Sequence, residues 1–388
     1  MRILFIAPTP FFADRGCHTQ IYDEVTTLQK LGHEVIVCTY GLGRDVEGVK
    51  TVRTINFPWY KKLSAGPSKT KILLLPCMFV TTFKTMRKFK PDVVHASLHE
   101  GALIGYGCRF FFRKPAYVFD IQGSLTGESL QHNFIKKGKA GYKLLLWMEK
   151  FIVTRQFDIV FNDNMEKELI ALGVKKEGYK KVRFGVNTDM FYPRKANEKL
   201  AERHGIDLSR PRILYMGLLE EYQGTDVLIE AIGKAVKKVP DLLAVIIGYP
   251  NVEKYKQLAK EKNIEKNIVF LGKIEYKKVP EYLSLSPVAV APKIAPTEGD
   301  GKLYNYLAMG MMVVAFDRDV AREVMGDAGI YAEFNHAGSL ADRIVEAVGD
   351  VSMQKAYGEK ARKRAVEELS LMHYGKELEQ IYYHLKEK

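Results

Sequence analysis

Apolar runs of strand length alternate along this chain with segments whose apolar positions fall on one helical face. Residues 3–9 and 34–39 are β-rich, and between them Ile21, Val25, Leu28 and Leu31 repeat with helical spacing. The spacing predicts a helix over 19–31 that Gly32 stops, so the chain opens with a β-α-β unit. Further strands are predicted at 51–57, 92–95, 116–120 and 157–162, with helices between them. The alternation starts afresh beyond residue 200. Strands are predicted there at 212–217, 243–248, 267–271 and 288–292, separated by helices at 225–239, 252–262 and 279–285. Continuous alternation with short loops predicts an α/β protein built from parallel, doubly wound sheets, one in each of two successive Rossmann-like domains.

The stretch 296–316, PTEGDGKLYNYLAMGMMVVAF, follows this series and carries the most chemistry. It reads as a glycine-spaced acidic loop (Thr297, Glu298, Gly299, Asp300, Gly301), a short amphipathic helix ending at Gly310, and an apolar strand over 311–316. The first N–H groups of a helix lack intrahelical partners and the helix dipole adds partial positive charge, so a phosphate suits that end. Gly299 and Gly301 let the backbone approach a ligand closely, and Lys302 falls in the first turn. The same residues also fit an ordinary loop-to-helix connection capped by Asp300. Glu298 and Asp300 repel a diphosphate unless they face sugar hydroxyls.

Composition narrows the partners. A chain of 388 residues with 47% apolar content can bury the cores of two domains. The start, MRILFIAPTP, resembles a first sheet strand rather than a signal peptide. The longest apolar run, 72–80, is about half a bilayer span and contains Pro76. Cys17, Cys38, Cys77 and Cys108 follow no metal or pairing pattern. They are expected as reduced thiols of a cytoplasmic protein, Cys38 and Cys77 in the core and Cys17 in a polar turn. The net charge of +13 is one-sided, because residues 51–150 hold 17 Lys and Arg against 5 Asp and Glu while residues 186–388 hold 30 of each. Such a field points to an anionic partner for the first domain. Two basic stretches, 69–90 and 136–153, have apolar faces. Residues 72–83 are expected to cover the sheet, and 136–150 to lie on a surface such as an anionic bilayer. No recognised module supports a nucleic-acid partner.

Four segments carry a resemblance: LQKLGHEVIVCTY after the first turn, KPDVVHASLHEGAL, YVFDIQGSLTGE, and FGVNTDMFYP at 184–193, with Gly185, Asn187, Asp189, Phe191 and Pro193 as its matching positions. They resemble the large retaining group of GT-B glycosyltransferases called family 4, the glycosyl transferases group 1. The resemblance implies two Rossmann-like domains facing across a cleft (GT-B). An acceptor-binding domain would span 1–185, a linker 186–200 and a nucleotide-sugar-binding domain 201–372, with a terminal helix over 373–388 returning to the first domain. It also implies a UDP- or GDP-sugar as donor substrate and no cofactor. Together with the charge, it favours an anionic lipid or lipid-linked glycan acceptor and peripheral contact with the inner face of the membrane.

By this resemblance Gly16, Gly217, Gln223, Gly299, Asp300, Gly301, Leu303 and Asn305 are candidates for the donor site. Lys302, Glu298 and His99 are the catalytic candidates. Arg15, Cys17, Gln122, Ser124 and Asn187, with His95, are expected at the acceptor or along the cleft, several of them just past the carboxyl ends of strands. The chain also departs from the family. A G-R-L-x-x-x-K-G type turn reads here Gly217-Leu218-Leu219-Glu220-Glu221-Tyr222-Gln223-Gly224, so both cations are missing. Asn305 replaces the second of two glutamates, and Gln122 stands where a histidine is frequent. Expelling a diphosphate needs positive charge where negative charge develops, and Lys302, Lys293, Arg15 and the 301–303 helix start are the available replacements. The implied reaction is transfer with retention, the departing phosphate helping to remove the acceptor proton, with metal independence and no metal ligands assigned. On the same fold a nucleotide-sugar epimerase and a non-catalytic sugar-nucleotide binder or scaffold subunit remain open.

Overall fold

The computed structural model describes residues 1–12, 16–58, 60, 69–131, 134–155, 158–161, 165–182, 185–295 and 299–387. The chain divides into two compact units, one of Met1–Phe184 with Leu371–Lys388 and one of Gly185–Ser370. Residues 186–200 therefore fall inside the second unit.

In the first unit the elements run β1 (Arg2–Ala7), α1 (Gly16–Lys30), β2 (Glu34–Thr39), β3 (Lys50–Arg53), α2 (Lys69–Phe89), β4 (Val93–Ser97), α3 (Leu98–Arg109), β5 (Ala116–Asp120), α4 (Leu125–Gln131), α5 (Ala140–Val153), β6 (Asp158–Phe161), α6 (Glu166–Leu172) and β7 (Tyr179–Lys181). The strands form one sheet of order β3-β2-β1-β4-β5-β6-β7 with every pair parallel. Alternate side chains of β1 serve opposite faces, as strand pleating requires: Leu4 and Ile6 join one core with Met78 and Phe119, while Ile3 and Phe5 join another with Val25 and Leu28.

The second unit runs α7 (Glu198–Arg203), β8 (Arg212–Leu218), α8 (Thr225–Val236), β9 (Leu243–Tyr249), α9 (Val252–Glu261), β10 (Ile268–Gly272), α10 (Val279–Leu283), β11 (Val288–Ala291), α11 (Gly301–Ala308), β12 (Met312–Phe316), α12 (Asp319–Met325), β13 (Gly329–Ala332), α13 (Ala337–Gly349) and α14 (Val351–Glu367). Its sheet is parallel, in the order β10-β9-β8-β11-β12-β13. The last helix, α15 (Leu371–Glu387), belongs to the first unit, where Leu378, Ile381 and Tyr382 complete the core beneath β1 and α1. It approaches α1 so closely at Gly375 that an added Cβ would lie 2.5 Å from Thr27 Cγ2.

The architecture is the expected α/β pair of Rossmann-like, doubly wound sheets, with local differences. β3 stops at Arg53 because β2, its partner, ends at Thr39, and Thr54 merely donates its N–H to the Thr39 carbonyl. Cys108, rather than Cys77, shares the core with Cys38, because α3 packs its inner side on the sheet while Cys77 sits half-buried on α2. On α2, Leu74 and Met78 are buried and Leu73 and Val80 exposed. On α5 the outward face is apolar, Leu144 being 58% and Trp147 62% exposed. No helix among the described residues is long and apolar enough to cross a membrane.

Candidate active site

In an open parallel sheet, ligands bind beyond the carboxyl ends of the strands where the winding direction reverses. In the second unit that point lies between β8 and β11. The loop after β8 and the loop after β11 meet there: Ile294 and Ala295 donate their N–H groups to the Tyr222 carbonyl at 3.2 and 3.0 Å. Gly224 makes this approach feasible. Its φ is +77°, and a Cβ on it would lie 1.7 Å from the Pro292 carbonyl oxygen, so no other residue fits.

Lys302 enters this junction from the first turn of α11. Its side chain is buried, and Nζ donates to Gln223 Oε1 at 2.9 Å and pairs with Asp300 Oδ1 at 3.2 Å. The ammonium also lies 5.0 Å from the Tyr215 ring centroid. Gly217 makes room for it, since a Cβ there would come within 3.2 Å of Lys302 Cε and 2.7 Å of the Tyr215 hydroxyl. Burial pushes the Tyr215 phenol up from its ordinary value, so it stays protonated and donates to the Leu218 carbonyl at 2.9 Å. Two further cations shape the second loop. Lys293 Nζ donates to the Gly299 carbonyl at 2.5 Å, and the Arg318 guanidinium donates to the carbonyls of Lys293 and Ala295.

Asp300 occupies the N-cap position of α11 without capping it through its side chain, which turns to Lys302 instead. The helix start is open at Gly301, where an added Cβ would meet nothing within 4 Å. A desolvated ammonium beside an open helix N-terminus is an arrangement able to receive phosphate oxygens. Gly217, Gln223, Gly299, Asp300, Gly301 and Lys302 are thus gathered at one place. Leu303 is not available to a ligand: its side chain is fully buried and its N–H donates to the Asp300 carbonyl. Asn305 is half-buried on the same helix. Asn187 uses its side-chain oxygen to accept from the N–H groups of Asp189 and Met190, so this expected cleft residue fastens a turn. Glu298 and Arg15 lie outside the described residues.

One Asp-x-Asp triplet, Asp317-Arg318-Asp319, escaped the sequence reading. Its first carboxylate accepts two hydrogen bonds from Arg322 at 2.7 and 2.6 Å, and Asp319 opens α12.

In the first unit Gly16 begins α1 and Cys17, partly exposed, follows it. Ser124 and His99 converge on Glu149, a buried carboxylate on α5 that sequence reasoning missed. Glu149 accepts from Ser124 Oγ at 3.0 Å and from the N–H groups of Leu125 and Thr126 at 2.7 and 3.1 Å, capping α4. His99 Nε2 stands 3.6 Å from the same carboxylate. Burial holds the His99 imidazole below its ordinary value despite Glu149, so it is a neutral ring near pH 7. Gln122 donates to Asp120 Oδ2 at 2.6 Å. The only sequence sign of Glu149 is one acid in a Lys-rich apolar helix.

Two parallel-sheet Rossmann-like units, the second carrying a cation-lined junction at its switch point, define a GT-B protein. Residues 196–364 match the family model described as Glycosyl transferases group 1, and residues 15–182 the Glycosyl transferase 4-like domain. The chain belongs to the group 1 glycosyltransferases, enzymes that use nucleotide-sugar donors. It is 30% identical over 177 residues to a GDP-mannose-dependent alpha-(1-6)-phosphatidylinositol monomannoside mannosyltransferase of Mycolicibacterium smegmatis, a match spanning 43% of this chain and 45% of that protein. It is 24% identical to the alpha-maltose-1-phosphate synthase of the same organism, over 68% of this chain and 73% of that one. Among solved structures, sucrose-phosphate synthase from Thermosynechococcus elongatus superposes with a TM-score of 0.80 at 18% identity, covering 99% and 98% of the two chains. Anabaena HepE in complex with UDP superposes with a TM-score of 0.78 at 16% identity, covering 99% and 100%. At such identities the likeness is one of fold.

Proposed function

We propose that this enzyme transfers a sugar, with retention of configuration, from a UDP- or GDP-sugar to a lipid-linked or glycan acceptor at a membrane surface. The observation that carries the reading is the buried Lys302 ammonium, 2.9 Å from the side chain of residue 223, where the family's turn has a lysine. The missing cation is thereby supplied from the opposite loop. As the sugar–phosphate bond breaks, Lys302 and the N–H groups opening α11 meet the charge growing on the diphosphate. The acceptor hydroxyl attacks from the same face and passes its proton to the departing phosphate.

The nucleotide part is supported by HepE, solved with UDP, and by the mannosyltransferase, whose name specifies GDP-mannose. That protein's name also specifies a phosphatidylinositol mannoside, which supports a lipid-linked acceptor. Supporting the membrane contact, exposed Leu144 and Trp147 on α5 stand among Lys136, Lys137, Lys139, Lys143 and Lys150. Trp147 stacks on Phe151 at 5.8 Å, Phe151 meets Tyr106 at 6.2 Å, and Tyr106 meets exposed Phe110 at 5.1 Å, so the aromatic strip is continuous. Such a surface suits anionic headgroups over a shallow apolar insertion.

The test is hydrolysis and transfer across a panel of UDP- and GDP-sugars, with the product anomer read by NMR and chelator added in a parallel series. Turnover with the donor's own anomeric configuration, insensitive to chelator, is expected. An inverted product or no turnover of any donor overturns the reading, the latter in favour of a non-catalytic binder.

A further inference from the structure

A second cluster of chemistry-bearing side chains lies wholly within the first unit. Glu24 comes from α1, His95 from β4 and Asp120 from the end of β5, and all three are buried. His95 Nε2 is 3.8 Å from Glu24 Oε2 and 4.0 Å from Asp120 Oδ2, and one ligand atom from each residue lies within 4.8 Å of the others. These gaps are too long for direct hydrogen bonds. Glu24 Oε2 and His95 Nε2 have no hydrogen-bond partner among the described residues. Leaving such atoms bare in a core is costly, which makes their convergence a sign of something between them.

Glu24 and His95 are held by their opposite edges, and Asp120 through the same Oδ2. Glu24 Oε1 accepts from Tyr374 at 2.7 Å and from Gln20 at 3.0 Å. His95 Nδ1 shares a 2.6 Å hydrogen bond with the Tyr382 hydroxyl, and its ring stacks on Phe5 at 4.3 Å. Asp120 is oriented by Gln122 at 2.6 Å. A metal-binding histidine ordinarily bonds an outer partner through its other ring nitrogen and ligating carboxylates are themselves hydrogen-bonded, and His95, Glu24 and Asp120 each have such a partner. A point equidistant from atoms so separated lies at most about 2.5 Å from each, a few tenths of an ångström beyond a first-row metal–ligand bond. Two carboxylates buried together are compensated by a proton on one of them or by a dication, and the imidazole disfavours magnesium and calcium as that dication.

We propose that Glu24, His95 and Asp120 bind one divalent transition cation, best matched by Zn²⁺. Its outer partners Tyr374 and Tyr382 both lie on α15, so the ion fastens that helix to the sheet and to α1. Glu24, His95 and Asp120 all belong to the first unit, whereas Lys302 and Gln223 belong to the second. No local spacing betrays these ligands, which explains why no metal ligand was expected from the sequence.

The full chain would be loaded with Zn²⁺, freed of loose metal on a chelating resin, and assayed for bound zinc by mass spectrometry and for its melting temperature. One equivalent per chain and a raised melting temperature are expected, with Co²⁺ giving visible absorption bands on substitution. Glu24→Gln should lose the bound ion. Tyr382→Phe, which leaves all three ligands in place, should weaken zinc binding about 10- to 100-fold and remains informative if Glu24→Gln does not fold. A folded wild-type chain that retains under about a tenth of an equivalent with an unmoved melting temperature overturns the proposal. So does zinc bound equally by wild type and both variants, which would place it on surface histidines.

Discussion

Replacing Lys302 by Met keeps the aliphatic stem between Gly217 and Tyr215 and removes only the ammonium. Two losses should follow. Asp300, itself 5% exposed, is left without the cation 3.2 Å away, and a buried carboxylate stripped of its partner costs on the order of 3–5 kcal/mol. The reaction also loses a fixed charge aimed at the leaving diphosphate, for which a fall of about 10²–10³ in kcat, or about 2.7–4 kcal/mol, is the expected scale. The losses can be separated because they have different cures. In Lys302→Met with Asp300→Asn the buried charge is gone, so the melting temperature should recover while kcat stays low. Steady-state turnover of the best donor, nucleotide binding by calorimetry and thermal melts of wild type and the two variants provide the comparison. A Lys302→Met enzyme within about threefold of wild type would refute the electrostatic role assigned to this lysine. So would a double variant whose rate returns together with its stability.

Gly224→Ala should unfold or strongly destabilise the second unit, by more than about 3 kcal/mol in urea melts, because the new Cβ cannot coexist with the Pro292 carbonyl 1.7 Å away; a loss below about 1 kcal/mol would show that the loops part easily. His99 is held below the ordinary 6.5, so beneath that pH the unfolded chain binds a proton that the folded chain refuses. Stability should therefore fall from pH 6.5 down to the depressed folded value and level off below it, and His99→Gln should flatten this part of the urea-midpoint curve. An unchanged slope would assign the acid sensitivity elsewhere. Trp147→Ser with Leu144→Ser should reduce sedimentation with anionic vesicles while leaving hydrolysis of the free donor intact, and vesicle binding that ignores lipid charge would contradict the surface assigned to α5.

The alternation of strands and helices was legible because each strand is a short apolar run between turn residues. Leu4, Ile6, Val290 and Val314 are buried in their sheets as their neighbours in sequence suggested. Boundaries were less legible where pairing sets them. Phe57 looks like strand, yet β2 has no residue left to pair with it. Lys302 could be singled out because glycines and a helix start surround it in sequence. Its partnership with Gln223 could not, since the two loops meet only after β8 and β11 become neighbours. Leu303 and Asn187 are the converse case: sequence position placed them at the site, and packing or a turn hydrogen bond claims them. Glu149, Glu24 and Asp120 were hidden for a simpler reason. An acid in a sequence looks solvated until its burial is known.

The return of α15 to the first unit bears on how the protein is made. While the ribosome is still producing residues 185–370, the first unit lacks the helix that supplies Leu378 and Tyr382, so its nascent hydrophobic groove must wait uncovered. The second unit, continuous in sequence, can close during translation. A stop codon just before residue 371 would thus injure the half of the molecule synthesised first, and chaperones that shield exposed apolar surface would be expected to meet it there.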